Sequence, residues 1–325
     1  MGSIKEIRNR IKSVQDTRKI TTAMYMISST KLRKARKNFE ATRPYFDAIS
    51  HEIKRIFRID ENVQSRYFYP KGVIEDLEGT YGYLVITADK GLAGAYNQNV
   101  IREAERMLSE HEDNLLFVVG ECGRHYFTTH HIPIEQSFRY TAQNPTLYRA
   151  REITNVLLDK YDSGEITKIY VIFTDYQNSY SEEAEVMRLL PFHKADFNIA
   201  PPAWEKKVKT PFKFMPNLSE VLNNTIESYV LGIVYGALVD SFCSEQSARM
   251  NAMDSANRNS QEILNDLKVQ YNHTRQSMIT QEITEISAGA KAMKRKRERK
   301  AMDRQRELLR MLRERNNPSE QNPKI

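Results

Sequence analysis

The residues with the most obvious chemical potential in this chain form a cluster of one cysteine and three histidines. All four fall within ten positions, and all can ligate metals: Cys122, His125, His130 and His131. Their spacing matches no zinc motif, and on one helix Cys122 and His130 would not share a face with His131. An amphipathic helix is the favoured interpretation. No G-x-S-x-G or H-E-x-x-H motif occurs either, so we predict no catalytic residue, metal site or cofactor.

A glycine-containing loop, ADKGLAGAYN, occupies residues 88–97 between a predicted strand and a predicted helix. Phosphate groups often bind at such a position, because the first amides of a helix point outward. The loop has neither the P-loop pattern nor the G-x-G-x-x-G spacing, so a tight turn at Gly91 and Gly94 is the preferred interpretation. Asp89 and Lys90 are expected to pair with each other or with a neighbouring subunit.

A basic run at residues 294–299, continuing to Arg315, could bind nucleic acid or lipid headgroups. It has no interleaved aromatic residues, and acidic residues follow at helical spacing, so a solvated helix end is favoured.

Charge is also segregated along the chain, with +10 over residues 1–58, −11 over 59–290 and +8 over 291–315. This pattern predicts an acidic partner at the basic ends. A basic coiled-coil adaptor that binds nucleic acid is the alternative function.

Two long stretches with few glycines or prolines flank a segment of alternating strands and helices. The fold class is therefore α/β plus a long antiparallel coiled coil, in which the N- and C-terminal helices form a rod and the centre is a small doubly wound α/β domain. The predicted boundaries are 1–58 for the first helix, 59–80 and 196–216 for connectors, 81–195 for the α/β domain, 217–290 for the second helix and 291–325 for a basic extension. Because the second helix is longer, its C-terminal part should protrude alone.

Within the α/β domain, strands are predicted at Tyr81–Thr87, Leu115–Gly120, Lys168–Asp175 and, as an edge, Glu185–Leu190. Helices are predicted at Gln98–Glu110, Glu121–His131 and Pro145–Tyr161, and Ile132–Phe138 is expected to be extended.

The apolar stretch Tyr229–Val239 is too short to span a bilayer, which needs about 20 residues. The N-terminus has no signal core, and two cysteines are too few for a disulfide framework, so a reducing compartment is expected.

The apolar stripe of the first helix shifts sideways for about two turns. Apolar residues occupy a heptad frame at Ile4, Ile7, Ile11 and Val14, and the frame resumes with Leu32, Ala35, Phe39, Phe46, Ile49, Ile53 and Ile56. Between these two stretches the frame is occupied by Arg18, Thr21, Tyr25 and Ser28, whereas the apolar residues move to Ile20, Ala23, Met24 and Ile27. Such a shift indicates either a second contact surface or a helix that merely curves.

Four separated blocks resemble the gamma subunit family of F-type ATP synthases: Ile4–Arg36, Ile86–Asn97, Ser244–Asn259 and Tyr271–Ile286. The resemblance covers about residues 1–290. It implies a non-catalytic rotor whose coiled coil turns in the bore of the alpha and beta subunit hexamer, with the α/β domain near epsilon and the c-ring. Protons or sodium ions would drive rotation, and each catalytic site would meet a different face of the shaft. The implied location is the cytoplasmic face of a bacterial plasma membrane, with membrane contact only through the c-ring and no nucleic acid.

The resemblance also implies which residues contact the hexamer. Met24 and Arg249 match family positions near an acidic loop of beta; Met24 is equally well explained as coiled-coil core. Arg275, Gln276 and Thr280, with Glu282 beside them, match an upper set of contacts. The chain departs from the family at Lys90, Ala93 and Ala95 of the loop, where Arg, Cys and Gly are common, and at Thr22, where Lys is common.

The largest departure lies at the C-terminus, because the family usually ends near Ala290 and this chain continues to Ile325. Residues 291–315 are predicted to prolong the single helix by about 37 Å. The extension would contact the peripheral-stalk side or act as a basic plug that limits ATP hydrolysis.

Overall fold

The computed structural model describes residues 4–60, 62–69, 77–176, 183–197 and 213–316. Parts of both predicted connectors and the tail after residue 316 lie outside these ranges. The elements in chain order are α1 (Ile4–Ile59), β1 (Tyr81–Ile86), α2 (Tyr96–Glu110), β2 (Asn114–Val119), α3 (Glu121–Thr129), α4 (Leu147–Asp162), β3 (Lys168–Thr174), β4 (Ala184–Leu190), a 3-10 turn (Lys194–Phe197) and α5 (Leu218–Asn316).

The chain forms two compact units. The helical unit combines residues up to Arg18 with those from Asn259 onward, and the sheet unit runs from Lys19 to Arg258. Helices α1 and α5 contribute a segment to each unit. Each unit is described separately below.

The sheet unit is built on four strands in the order β2–β1–β3–β4. The first three are parallel, and β4 pairs with β3 in the antiparallel sense. The parallel strands are buried along most of their length, as expected when helices cover both faces. Helices α2 and α3 pack on one face, while α4 and segments of α1 and α5 pack on the other. The doubly wound prediction is therefore confirmed.

Several sequence predictions for this domain need correction. Helix α3 ends at Thr129 rather than His131. Helix α2 begins at Tyr96 rather than Gln98. Helix α4 begins after Thr146, whose side chain accepts a hydrogen bond from the Arg149 amide at 3.2 Å, so Pro145 precedes the cap and is not helical. The stretch Ile132–Phe138, expected to be extended, ends in a turn, in which the Phe138 amide donates to the Glu135 carbonyl at 3.3 Å. The Glu135 amide donates to the Leu116 carbonyl at 2.9 Å, but Pro133 has no N–H to continue a ladder.

The helix segments of the sheet unit pack against each other in antiparallel fashion. Phe39 contacts Tyr235 with ring centres 5.9 Å apart, and Phe46, further along α1, approaches Gly232, which comes earlier on α5. The heptad positions predicted from sequence supply the contact, since Ala35, Ile49, Ile53 and Ile56 are buried. Each large aliphatic side chain buried in this way contributes about 1.5–3 kcal/mol. The predicted antiparallel coiled coil is confirmed in this unit.

In the helical unit, the first turns of α1 lie along α5. The Arg8 guanidinium donates a hydrogen bond to the Tyr271 hydroxyl at 3.0 Å, and Arg18 donates to Gln261, so the pairing is again antiparallel. The α5 residues Leu264 and Leu267 are buried. From Arg275 to Arg313 every side chain of α5 is exposed. That segment is a single helix within its unit.

One apolar stretch of α5 is long enough to cross a bilayer, but 61% of it is buried within the protein. Burial of that extent is typical of a core helix, and the stretch includes the Tyr229–Val239 segment noted from sequence.

Two glycines on α5 give a matched test of the helix contact. A methyl group at position 232 would overlap Cδ1 of Phe46, whereas one at position 236 would meet Phe39 at 3.6 Å, an ordinary contact. We expect Gly232→Ala to destabilise the protein by about 1–3 kcal/mol through overpacking. Gly236→Ala should be neutral or stabilising by up to about 1 kcal/mol, because alanine favours helix. Urea unfolding of both variants measures the difference, and equal effects would contradict the proposed close approach.

Candidate functional site

The loop that follows β1 is held in place by hydrogen bonds from several parts of the sheet unit. The Ala88 amide donates to Oδ1 of Asn97 at 2.8 Å, which closes the loop on itself. The Asp89 carboxylate accepts from the Glu121 amide at 3.2 Å, from the Gln143 amide at 3.1 Å and from the Thr141 hydroxyl. Asp89 thus lies at the first turn of α3, where the helix dipole favours a negative charge. The expected pairing of Asp89 with Lys90 is not observed.

The tight turn was predicted at Gly91 and Gly94, but the positive φ angles belong to Leu92 and Gly94. Gly94 has a φ of 55°, in the region that favours glycine, but the other positive φ, 63°, belongs to Leu92 and not to Gly91. A methyl group at position 91 would meet nothing within 4 Å. Lys90 and Leu92 are exposed, and 66% of Leu92 is accessible to solvent. The loop therefore presents an apolar side chain next to a cation at the protein surface.

A buried ion pair on α5 is hydrogen-bonded to this turn. Arg249 Nη1 lies 2.6 Å from Glu245 Oε1, and the side chains are only 9% and 4% exposed. Arg249 Nη2 donates to the Lys90 and Gly91 carbonyls, each at 3.0 Å. Burial raises the pKa of Glu245, and the neighbouring Arg249 partly opposes this shift. The guanidinium thus serves an intramolecular purpose, and the contact of Arg249 with the hexamer stays a prediction.

The sequence analysis did not identify Glu245 or the bond between Arg249 and the loop. Glutamate four residues before arginine on a helix is a recognisable pairing signal, and it was present. What it does not indicate is burial, because most such pairs are solvated. Burial arises here because Ala88, Ala93, Tyr96 and Ala248 form a small apolar cluster between the loop and α5.

The shifted stripe on α1 is exposed in the sheet unit. Ile20 and Ile27 are 62% and 55% exposed, and Ala23 is also exposed. The polar residues Thr21 and Ser28 are buried in their place, and the Thr21 and Thr22 hydroxyls both donate to Asn257. Met24 lies at the boundary, half-buried. The stripe therefore faces away from α5, which agrees with a second contact surface.

The remaining predicted contact residues belong to the helical unit. Arg275, Gln276, Thr280 and Glu282 are all exposed on the single-helix part of α5. The Thr280 hydroxyl donates to the Gln276 carbonyl at 2.9 Å, which is a local helix contact. Asp89, Lys90, Gly91, Gly94 and Arg249 are instead gathered in the sheet unit.

Comparison with known proteins gives one consistent answer. A family model described as ATP synthase matches residues 3–293. The ATP synthase gamma chain of Ruminiclostridium cellulolyticum is 40% identical over 294 residues, covering 90% of this chain and 99% of the relative. The chain belongs to the ATP synthase gamma chain family. A relative from Acetobacterium woodii, 34% identical over 90% of this chain and 99% of its own length, is named a sodium ion specific gamma chain.

Solved structures agree with this family. A chain of the Tetrahymena thermophila mitochondrial ATP synthase central stalk and c-ring has a TM-score of 0.55 and 25% identity, covering 73% of this chain and 99% of that one. A chain of the Euglena gracilis mitochondrial ATP synthase matches in fold, with a TM-score of 0.60 and 16% identity over 89% and 94% of the two chains. The function is accordingly that of a gamma component in the central stalk of an ATP synthase, a membrane-associated complex. Nothing in the comparisons supports the nucleic-acid adaptor.

Two arginines on α5 allow the buried pair to be tested against a solvated one. Arg249 and Arg258 each lie 2.6 Å from a carboxylate four residues earlier, but the Arg258–Asp254 side chains are 78% and 45% exposed. We expect Arg249→Met to cost about 3–5 kcal/mol, because it leaves a buried carboxylate unpaired. Arg258→Met should cost at most about 1 kcal/mol. Chemical denaturation gives both values, and amide exchange in residues 88–97 should accelerate only for Arg249→Met. Equal costs would contradict the supporting role of the buried pair.

Proposed function

We propose that this chain is the rotating shaft of a bacterial ATP synthase and has no catalytic residues of its own. Its long helices would turn within the hexamer of alpha and beta subunits, and the α/β domain would meet epsilon and the c-ring. The complex would lie on the cytoplasmic face of the plasma membrane, and this chain would reach the membrane only through the c-ring. Neither nucleic acid nor a bound cofactor has a part in this role.

The observation that carries this proposal is the exposed apolar stripe of Ile20, Ala23 and Ile27, with Met24 at its edge. Isolated exposed apolar residues are common, but three on one helix face beside buried polar residues imply a protein contact. A shaft must press on the surrounding subunits without binding any one of them permanently. A narrow stripe gives each subunit a small, state-dependent contact energy, which is how mechanical coupling arises.

Other residues extend this surface in the proposal. Arg275, Gln276, Thr280 and Glu282 would contact the hexamer from the single-helix segment. Arg249 would act mainly through the loop, since its guanidinium holds the carbonyls of Lys90 and Gly91. Lys90 and Leu92 are then the loop side chains available to a neighbouring subunit.

A pair of equally exposed residues on α1 tests the stripe. Ile20 and Met26 are both 62% exposed, but about 120° separates them around the helix. In purified complexes that assemble with normal subunit stoichiometry, Ile20→Gln should reduce the rate of ATP synthesis several-fold, because the stripe loses an apolar contact. Met26→Gln should leave synthesis unchanged. Synthesis rates and subunit stoichiometry provide the measurement; failure of alpha and beta to purify with the wild-type chain would refute the shaft itself.

The C-terminal extension gives a further prediction. The family model ends at residue 293, and α5 continues to Asn316 with exposed basic side chains and exposed Leu308, Leu309, Met311 and Leu312. We propose that this segment acts as the basic plug considered above. A chain truncated after Met293 should assemble normally and hydrolyse ATP at least about twofold faster, since the restraint on reverse rotation is lost. ATPase assays on the two complexes provide the comparison, and unchanged hydrolysis and synthesis would rule out regulation.

A further inference from the structure

The last turns of α5 expose a stripe along one side of the helix, which we call the seam. It consists of Met302, Gln305, Leu309 and Leu312, and their alternating spacing of three and four residues is that of the contacting positions in a coiled coil. Met302, Leu309 and Leu312 are 56%, 56% and 49% exposed. The family model ends at residue 293, so the seam lies beyond the sequence that the family shares. An exposed stripe with this repeat indicates contact with another helix.

A row of arginines follows one flank of the seam. Arg299, Arg306 and Arg313 are spaced seven residues apart, so they lie on the same side of a heptad repeat. All three are exposed, and none of them forms an ion pair within the described part of the chain. Beside the seam, the opposite flank carries Ala301 and Leu308, which are uncharged. Charges that flank an apolar seam pair with opposite charges on the neighbouring helix and so select the partner.

The charge of this segment decides which kind of partner fits the seam. Residues 294–313 contain ten basic and three acidic residues, a net charge of +7. A second copy of the helix would bring the same charge alongside, and like charges across an interface disfavour pairing. An anionic membrane surface fits less well, because it would attract cations on both borders of the apolar stripe, and only one flank of the seam is cationic. An acidic helix with an apolar stripe of its own matches both the seam and the arginine row.

We propose that the C-terminal extension of α5 pairs with an acidic amphipathic helix of another subunit. Apolar side chains of that helix would pack against Met302, Leu309 and Leu312, and its carboxylates would pair with the arginine row. Gln305 places an amide in the seam, and a polar residue at such a position fixes the register of two helices. The inference deepens the proposed plug, since a helix bound to the extension would restrain rotation. It rests on the proposed shaft function, which gives the extension other subunits to meet.

Two synthetic peptides test the chemistry of the seam on the purified full-length chain. Both are helical heptad peptides with leucine at the contacting positions, and their flanking positions are glutamate in one and lysine in the other. We expect the glutamate peptide to bind at least tenfold more tightly. Leu309→Gln should weaken its binding at least tenfold, and Arg306→Gln at least threefold. Met311→Gln is the control and should bind like the wild type, because Met311 is 62% exposed but lies about 160° from Leu309 around the helix.

Site-specific photocrosslinking in the purified ATP synthase complex identifies the partner. A benzophenone amino acid in place of Leu309 should cross-link to an acidic segment of another subunit, whose sequence mass spectrometry determines. The same group in place of Lys300, about 180° away around the helix, should give at least fivefold less of this product.

Equal binding of the two peptides, or no binding of either up to millimolar concentration, would overturn the proposal. So would a cross-link from position 309 to a second copy of this chain, or the lack of any cross-link to an acidic segment. Phosphatidylglycerol vesicles that bind the chain as tightly as the glutamate peptide would overturn it in favour of a membrane surface. The peptide titration does not require the complex, so it separates failure of this contact from failure of the shaft or of the plug.

Discussion

The antiparallel packing of α1 against α5 is the interaction on which the sheet unit depends. The same α5 segment that contacts Phe39 and Phe46 also covers one face of the sheet through Val230, Val234 and Leu238. Helix pairing and domain folding therefore share one hydrophobic core. A glycine at position 232 lets the α1 aromatic ring approach the α5 backbone, and this close approach sets the register of the two helices. A slip of the register would expose both the coiled-coil seam and the sheet face, so register and fold are stabilised together.

A second constraint acts on the loop after β1. Its backbone carbonyls at Lys90 and Gly91 accept hydrogen bonds from Arg249, and the burial of Arg249 to 8% exposure is offset by Glu245 beside it. Asp89 fixes the opposite side of the loop at the start of α3. The loop conformation is thus determined by groups from two helices that are distant in sequence. Neither anchor bonds to the side chain of Ala93 or Ala95, where this chain departs from the family, but the Ala93 methyl belongs to the apolar cluster that buries Arg249.

Periodicity made much of this architecture predictable. The heptad frame from Ala35 to Ile56 identified the buried face of α1, and uninterrupted apolar runs identified the three parallel strands, because burial on both sides leaves no alternation. The shift at Ile20 and Ile27 coincides with exposed side chains, and the contact surface that it indicated stays a prediction. The role of Arg249 was not predictable, since a charged side chain on a helix is usually solvated and only the neighbouring cluster around Tyr96 buries it.

On α1 the polar residues Thr21 and Ser28 are buried and the apolar residues Ile20, Ala23 and Ile27 are exposed, and this arrangement has a mechanical consequence. Net positive charge at both ends of the sequence can attract an acidic partner over about one Debye length, but screened attraction is diffuse and does not define a rotational angle. Angular discrimination requires short-range contacts that differ from one face of the helix to another. Ile20, Ala23 and Ile27 occupy one side of α1, whereas Thr21 and Ser28 are turned inward. Charge would therefore attract the proposed partners to the shaft. Contacts with the apolar stripe would then differ in energy from one face of α1 to another, and this difference would distinguish the rotational positions.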